Sequence, residues 1–254
     1  MRAVADVVVA GAGAAGLATA HFLRQLMPNS RIVVVSRHAP FALTSSASTE
    51  CFRDHWTAPA MRAFMQRSVH LTEALALSSA ENDSRIALEK RGYLYVQQEP
   101  LASSAAESAN EHCSWFPPSH LLRLYPWLSP SCTQAVLAKN AGWLSAHGLG
   151  MALMSTLQGS TMLGWDVVGA TGTESKLQGV RLRSFCSGED LHISCGAFVN
   201  ATGPLLSKTH QVALASLSSA ANSPLPTRND VHAKVILHDV LRCALPPPRF
   251  VERC

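Results

Sequence analysis

Charge is scarce in this chain: Asp, Glu, Lys and Arg make up 15% of its 254 residues, against about 25% in an average soluble domain. With 47% hydrophobic residues, that excludes a disordered or collagenous chain. Basic residues outnumber acidic ones by only 21 to 17 and are scattered. Nothing in that distribution argues for a nucleic-acid groove or a polybasic membrane patch. No apolar run approaches the ~18 residues of a membrane span. The cysteines at 51, 113, 132, 186, 195, 243 and 254 form no Cys-x-x-Cys pair and no ligand spacing. They read as reduced thiols of a reducing compartment, and no metal site is expected. His-Glu-x-x-His, Gly-x-Ser-x-Gly and a Walker-type lysine are missing as well, which argues against zinc-protease, hydrolase and P-loop chemistry. No organelle address is visible, so the cytoplasm is the default. The apolar stretch from Arg2 to Ala20 resembles a secretory leader, but Asp6 interrupts it and three glycines punctuate it at fixed offsets.

Those glycines are the first positive signal. The length suits one large α/β domain or two small ones. Val4–Ala10 is a β-branched run of the kind that forms a buried parallel strand. It passes directly into Gly11-Ala12-Gly13-Ala14-Ala15-Gly16, a G-x-G-x-x-G match. A helical stretch with Leu17, Ala20, His21, Leu23 and Leu26 follows, and then a second strand over Arg31–Val35. In such a βαβ unit, Gly11 makes the tight turn, Gly13 lets backbone approach a pyrophosphate, and Gly16 lets the helix pack against the strand. The helix start then offers free N–H groups and a positive dipole end to phosphates.

The second strand ends in Ser36-Arg37-His38, where an acidic residue ordinarily accepts hydrogen bonds from the adenosine ribose. Two readings stay open. Ser36 makes a single neutral hydrogen bond in place of a charge-assisted one worth about 1.5–3 kcal/mol. Alternatively, Ser36 and Arg37 cradle a ribose 2′-phosphate, which favours NADP.

Further along, Thr44–Thr49 is a small polar loop, Pro59–Leu77 reads as a helix with a broad apolar face, and Arg91–Val96 is a turn into an alternating strand. Residues 100–112 read as a solvated insertion. Strands are expected over Ala141–Leu144, Trp165–Ala170, Leu177–Leu182 and Leu191–Asn200. The last ends in Ala201-Thr202-Gly203-Pro204, a small-residue turn that brings backbone next to a bound group at the sheet's carboxyl edge.

Taken in order, DVVVAGAGAAGLATAHFL, TSSASTECFRDHW, RGYLYV, LYPWL, AGWLSAHGLGMAL, DVVGATGTESKLQGVRL and FVNATGP resemble the FAD-dependent oxidoreductases of the D-amino-acid oxidase/sarcosine oxidase superfamily. The resemblance implies an α/β (α+β overall) fold. It would comprise a Rossmann-like FAD-binding domain of glutathione-reductase type and an incomplete mixed β-sheet substrate domain. The FAD-binding domain would span 1–84 and 146–215, the substrate domain 85–145, with 216–254 a linker and the start of a further substrate-domain segment. Members of the family are longer, so the chain is expected to be truncated at its C-terminus.

The resemblance also implies site residues. Gly11, Gly13 and Gly16 would face the FAD pyrophosphate, and Ser36 and Arg37 the ribose. Ser45, Ser46 and Ala47 would run beside the flavin, the backbone of Val167 would meet the adenine, and Ala201, Thr202 and Gly203 would lie near the cofactor. The expected reaction is oxidation of an amino acid or secondary amine, with hydride transfer to flavin N5 and reoxidation by oxygen or another acceptor. Arg53, just past the flavin-side loop, is the candidate for a substrate carboxylate, and His55 for a proton acceptor. Their alternatives are an Arg paired with Asp54 or Glu50 and a half-buried His beside Trp56. Cys51 near His55 lacks a third orienting group and reads as a plain buried thiol. The competing functional readings are a non-catalytic dinucleotide-binding remnant and an NADP-binding oxidoreductase.

Overall fold

The computed structural model of the chain describes residues 2–79, 86–97, 113–157, 159–173, 175–215, 217, 225–231 and 250–253. The insertion expected at 100–112 lies outside them. In chain order the elements are β1 (Arg2–Val4), β2 (Val7–Ala10), α1 (Ala14–Leu26), β3 (Ile32–Ser36), β4 (Cys51–Arg53), α2 (Pro59–Ser79), β5 (Tyr93–Gln97), β6 (Cys113–Phe116), α3 (Pro118–Leu124), β7 (Gln134–Ala138), β8 (Ala141–Trp143), α4 (Ala146–Ser155), β9 (Thr161–Leu163), β10 (Trp165–Thr173), β11 (Lys176–Ser184), β12 (Asp190–Ser194) and β13 (Ala197–Asn200). A 3-10 turn (Gly203–Leu205), α5 (Leu206–Leu214) and β14 (Phe250–Arg253) complete the order. The fold is mixed α/β, with parallel and antiparallel sheets. It divides into one unit of residues 1–48 and 146–234 and another of 49–145 and 235–254. Residues 49–84, assigned from the sequence to the first domain, thus group with the second unit.

In the first unit, β13, β2, β3 and β9 form a wholly parallel sheet in that order. Strands covered on both faces need apolar side chains at successive positions. Val8 and Val9 of β2 and Val34 of β3 are accordingly inaccessible to solvent. Helix α1 closes one face through Leu17 and Ala20, both also fully buried. The second sheet of this unit has the order β1-β12-β11-β10, an antiparallel meander with β1 added in parallel.

Two runs expected as single strands are each split between these sheets. Val4–Ala10 becomes β1 and β2, and Leu191–Asn200 becomes β12 and β13. The cause is Asp6. Its carboxylate accepts the Arg31 N–H at 2.7 Å and its carbonyl accepts the N–H groups of Gly196 and Ala197, both at 3.2 Å. One polar residue therefore satisfies the backbone at a corner where both chains leave one sheet for the other. Cys195 is buried at this corner, and desolvation pushes its thiol up to about 11, so it stays protonated and inert.

Helices α1 and α4 are joined by a polar link. Thr156 gives its hydroxyl proton to the Leu153 carbonyl at 2.7 Å, so its oxygen can accept from His21 Nδ1 at 2.9 Å. His21 Nε2 then accepts from Gln25 at 2.9 Å. Both bonds suit the neutral ring with its proton on Nδ1.

The second unit holds the mixed sheet β14-β5-β7-β6 and the antiparallel pair β4-β8. Alternation along β5 sends Tyr93 and Tyr95 toward Val136, and Leu94 and Val96 toward Leu121 and Tyr125. Among the described residues no helix is long and apolar enough to cross a membrane.

Burial lowers the pKa of His21 below its ordinary 6.5. The unfolded chain therefore binds a proton that the folded chain resists. This contribution to stability is complete above the unfolded value and is lost as pH falls from there toward the folded one. The urea midpoint is expected to drop between about pH 7 and pH 5, and His21→Gln should flatten that slope. A slope unchanged by the substitution would refute the assignment.

Candidate functional site

The carboxyl ends of β13, β2 and β3 open into a cavity of about 840 Å³ in the first unit. Its walls come from Ala10–Ala15, Val35–Ala39, Phe41–Ser45, Trp165–Val168 and Ala201–Leu205, with Lys208, Thr209 and Val212 of α5. The edge of a parallel sheet is where such a cleft is expected, because loops diverge there on either side of the strands.

The first wall is the glycine turn. Gly11 adopts φ +108°, donates its N–H to the Val35 carbonyl at 2.8 Å, and lies so close to the next turn that a Cβ would sit 2.3 Å from the Ala201 oxygen. A Cβ on Gly16 would fall 1.9 Å from the Gly11 oxygen. Gly16 therefore lies behind the turn, where it seats α1, and does not line the cavity. Gly13 is different: an added Cβ there would meet only the Ser45 hydroxyl oxygen, at 3.3 Å. Gly13 also caps α1 without a side chain, and the first turn of the helix has no acidic residue. The Ala14 N–H reaches Ser45 Oγ at 3.2 Å. The positive end of α1 thus borders the cavity, with the Ser45 hydroxyl beside it.

The second wall is the turn after β13. Asn200 Oδ1 accepts from the Thr202 hydroxyl at 2.8 Å and from the Thr202 N–H at 3.4 Å, while its Nδ2 donates to the Leu206 carbonyl at 2.9 Å. The Ala201 N–H continues the parallel ladder onto the Ala10 carbonyl at 2.8 Å. The two small-residue turns are therefore in backbone contact, and Ala201, Thr202 and Gly203 line the cleft beside Gly11 and Gly13.

The third wall carries the charge. Ser36 donates its hydroxyl to the His38 carbonyl at 2.9 Å. Arg37 pairs with Asp166 (Nη1 to Oδ2, 3.4 Å), and its guanidinium stacks 4.0 Å from the Phe185 ring centroid. The buried Nε of Arg37 has no hydrogen-bond partner among the described residues. Of the loop residues expected beside the cofactor, Ser45 lines the cavity. Ser46 and Ala47 instead bond back within the loop, to the carbonyls of Phe41 and Leu43. Val167 lines it as well.

Arg53 and His55 belong to the second unit. Arg53 lies over the rings of Trp56, Tyr93 and Tyr95 at 4.9, 5.6 and 6.0 Å. His55 places Nδ1 3.2 Å from the Cys113 sulfur and its ring 5.3 Å from Tyr95. Its pKa is lowered by burial first and then by the Arg62 guanidinium; Asp54 opposes this and Arg53 adds to it. Both leading causes favour the neutral imidazole over the charged ring. The buried Asp54 is bonded to Asn140 Nδ2 at 2.8 Å. No group of His, Cys, Asp and Glu suited to a metal ion occurs among the described residues.

Sequence reasoning missed two residues here. Asp166 stands next to Val167, yet nothing local marks it as the partner of Arg37. Asn200 was read only as the end of a strand, although Asn before a small-residue turn is a known side-chain turn builder.

The cleft fits a dinucleotide. It offers a side-chain-free turn at a helix start and enough volume for a ligand of that size. The model of the DAO family, described as FAD dependent oxidoreductase, matches residues 6–233. Among solved structures, the chain is similar to glycine oxidase from Bacillus cereus ATCC 14579, at 20% identity and TM-score 0.64, covering 80% of this chain and 56% of that one. It is similar to glycine oxidase from Geobacillus kaustophilus, at 19% identity and TM-score 0.65, over 83% and 58% of the two chains. L-proline dehydrogenase from P. horikoshii matches at 17% identity and TM-score 0.68, over 84% and 56%. The chain thus spans a little over half the length of these structures. A search of curated proteins finds no match.

The two glycines can be told apart by stability. Gly16→Ala drives a methyl into backbone and is expected to cost about 3 kcal/mol. Gly13→Ala meets only a movable hydroxyl and should cost about 1 kcal/mol or less. Equal losses in chemical denaturation would contradict this division of labour.

Proposed function

Because the chain belongs to the DAO family of FAD-dependent oxidoreductases, we propose that its first unit binds FAD in the cleft described above. We further propose that the protein serves the oxidation of an amino acid or secondary amine. The observation that carries the reading is the backbone contact between the Gly11 turn and the Ala201 turn at the mouth of α1. It leaves room for a diphosphate with N–H groups as its donors, and no lysine is needed to hold it.

In this reading Gly11 and Gly13 present backbone to the diphosphate, and Gly16 keeps the helix start in place behind them. Ser36 and Arg37 border the ribose, and the Val167 backbone meets the adenine. Ser45, Ala201, Thr202 and Gly203 lie along the cofactor toward its reactive ring, with Ser46 and Ala47 shaping the loop that presents Ser45. When bound, FAD supplies the hydride acceptor, N5 of its ring, and is returned to its oxidised form by oxygen or another acceptor.

The remaining tasks fall to the chain. Arg53 is suited to a substrate carboxylate: its planar fork matches two oxygens, and three rings restrict its motion. His55, kept neutral by burial and nearby guanidinium groups, is suited to take a proton from a substrate ammonium. The similar structures are of glycine oxidase and L-proline dehydrogenase, which supports a small amino acid or cyclic amine as the substrate class. The NADP alternative is not favoured, because the Arg37 guanidinium is engaged by Asp166 and Phe185.

The purified protein is expected to show flavin absorption bands, or to gain them on incubation with FAD, and to lose them on anaerobic addition of a suitable amine. Gly13→Asp, which sets a carboxylate against the diphosphate, should weaken FAD binding at least about tenfold while the fold persists by circular dichroism. A protein that takes up no flavin would overturn the proposal.

A further inference from the structure

We propose that Asp166, not the residue closing β3, supplies the carboxylate that grips the adenosine ribose, with Arg37 as its fixed positioning partner. The inference rests on the FAD reading of the cleft.

A dinucleotide fold of this kind ordinarily places its acid at the end of the second strand, where the ribose hydroxyls arrive. Here that position is Ser36, and its hydroxyl proton is committed to the His38 carbonyl at 2.9 Å. The carboxylate has been replaced from another part of the chain. Asp166, at the start of β10, lies 3.4 Å from Arg37, the residue directly after Ser36. Ser36, Arg37, Asp166 and Val167 all line the same cavity. The acid is therefore delivered to the ribose end of the cleft, one residue ahead of the backbone assigned to the adenine.

Its charge is not spent elsewhere. Arg183 faces Asp166 in the β10–β11 ladder, but it is held by Asp190 through two bonds of 2.7 and 3.1 Å. Arg37 is itself held from the other side by the Phe185 ring, 4.0 Å from the guanidinium carbon. The guanidinium thus aims the carboxylate instead of waiting for an anion. An ionised carboxylate has about four lone-pair sites, enough to keep the ion pair and accept from the ribose hydroxyls. A 2′-phosphate brought to the same place would find the Arg37 charge already matched by Asp166 and would gain no free cation. The arrangement therefore favours a free 2′-hydroxyl over the phosphorylated ribose.

Binding of ADP, 2′-deoxy-ADP, 3′-deoxy-ADP and adenosine 2′,5′-bisphosphate to the flavin-free full chain, followed by calorimetry, tests this directly. The wild type is expected to bind ADP about tenfold more tightly than at least one of the deoxy analogues, the scale of one charge-assisted hydrogen bond. It should bind the 2′-phosphate more weakly still. Asp166→Asn should weaken ADP about tenfold and bring ADP and the deoxy analogues to equal affinity. A merely structural role would weaken all of them alike and leave the ratios intact, which would overturn the proposal. Adding Ser36→Glu to Asp166→Asn restores a carboxylate from the usual position and should recover both affinity and discrimination. If the variant fails to fold, wild-type ratios close to one are sufficient to refute the idea. Failure of every adenine nucleotide and of FAD to bind would instead defeat the reading of the cleft itself.

Discussion

The first unit depends on one close backbone contact, that between the turn at Gly11 and the turn at Ala201. The Ala201 N–H bonds to Ala10, Gly11 bonds to Val35, and Gly16 rests on the Gly11 carbonyl. Three strands and the helix start meet within a few ångströms, and no side chain intervenes. That geometry explains why small residues occur at Ala10, Gly11, Gly16 and Ala201. A methyl group at Gly11 or Gly16 would collide with main-chain atoms, which move far less readily than side chains. The same packing leaves α1 with no side chain at its own cap, and its Ala14 N–H reaches Ser45 Oγ across the cleft.

A second constraint lies at the opposite end of these strands. Asp6 ties Arg31, Gly196 and Ala197 together at the corner where β1 and β12 leave the parallel sheet. The parallel sheet must be buried on both faces, whereas the meander of β10, β11 and β12 can keep polar residues such as Arg181 and Arg183 on an exposed face. One polar hub divides the two environments. It holds β2 and β13 in register, and so holds their carboxyl ends, the glycine and Asn-Ala-Thr-Gly turns, in contact.

Much of this was legible in local patterns. Strand, glycine turn, helix and second strand follow one another within a single βαβ unit, so their chemistry is written in adjacent residues. Phe198-Val199-Asn200-Ala201-Thr202-Gly203 was legible for the same reason. What was not legible depends on contacts between distant segments. The division of Val4–Ala10 and Leu191–Asn200 hinges on Asp6, which from the sequence alone looks like an interruption of a strand or of a leader. The grouping of 49–84 with the second unit follows from β4 pairing with β8, far along the chain. The pairing of Arg37 with Asp166 is likewise invisible locally, because β10 approaches β3 only after the fold has formed. Local sequence offers Arg53 only its acidic neighbours, whereas the fold also brings three aromatic rings from two different segments around it.

The distribution of charge around the cleft follows from the scarcity of charge in the chain. A dinucleotide diphosphate carries two negative charges, and a P-loop would meet them with a lysine. In the proposed reading that task falls to the helix dipole and N–H groups at the start of α1, whose first turn bears no acid to oppose them, with Lys208 in the same cleft wall. The cation nearest the second strand, Arg37, is balanced by Asp166 and braced by Phe185. Had Arg37 been unbalanced, it would have drawn the diphosphate, or any phosphorylated ribose, toward the wrong end of the cleft. In that reading the start of α1 attracts phosphate, and the Arg37–Asp166 pair presents hydrogen-bonding capacity without net charge. The separation of these two roles along one cleft gives a ligand with a diphosphate in its middle a defined orientation.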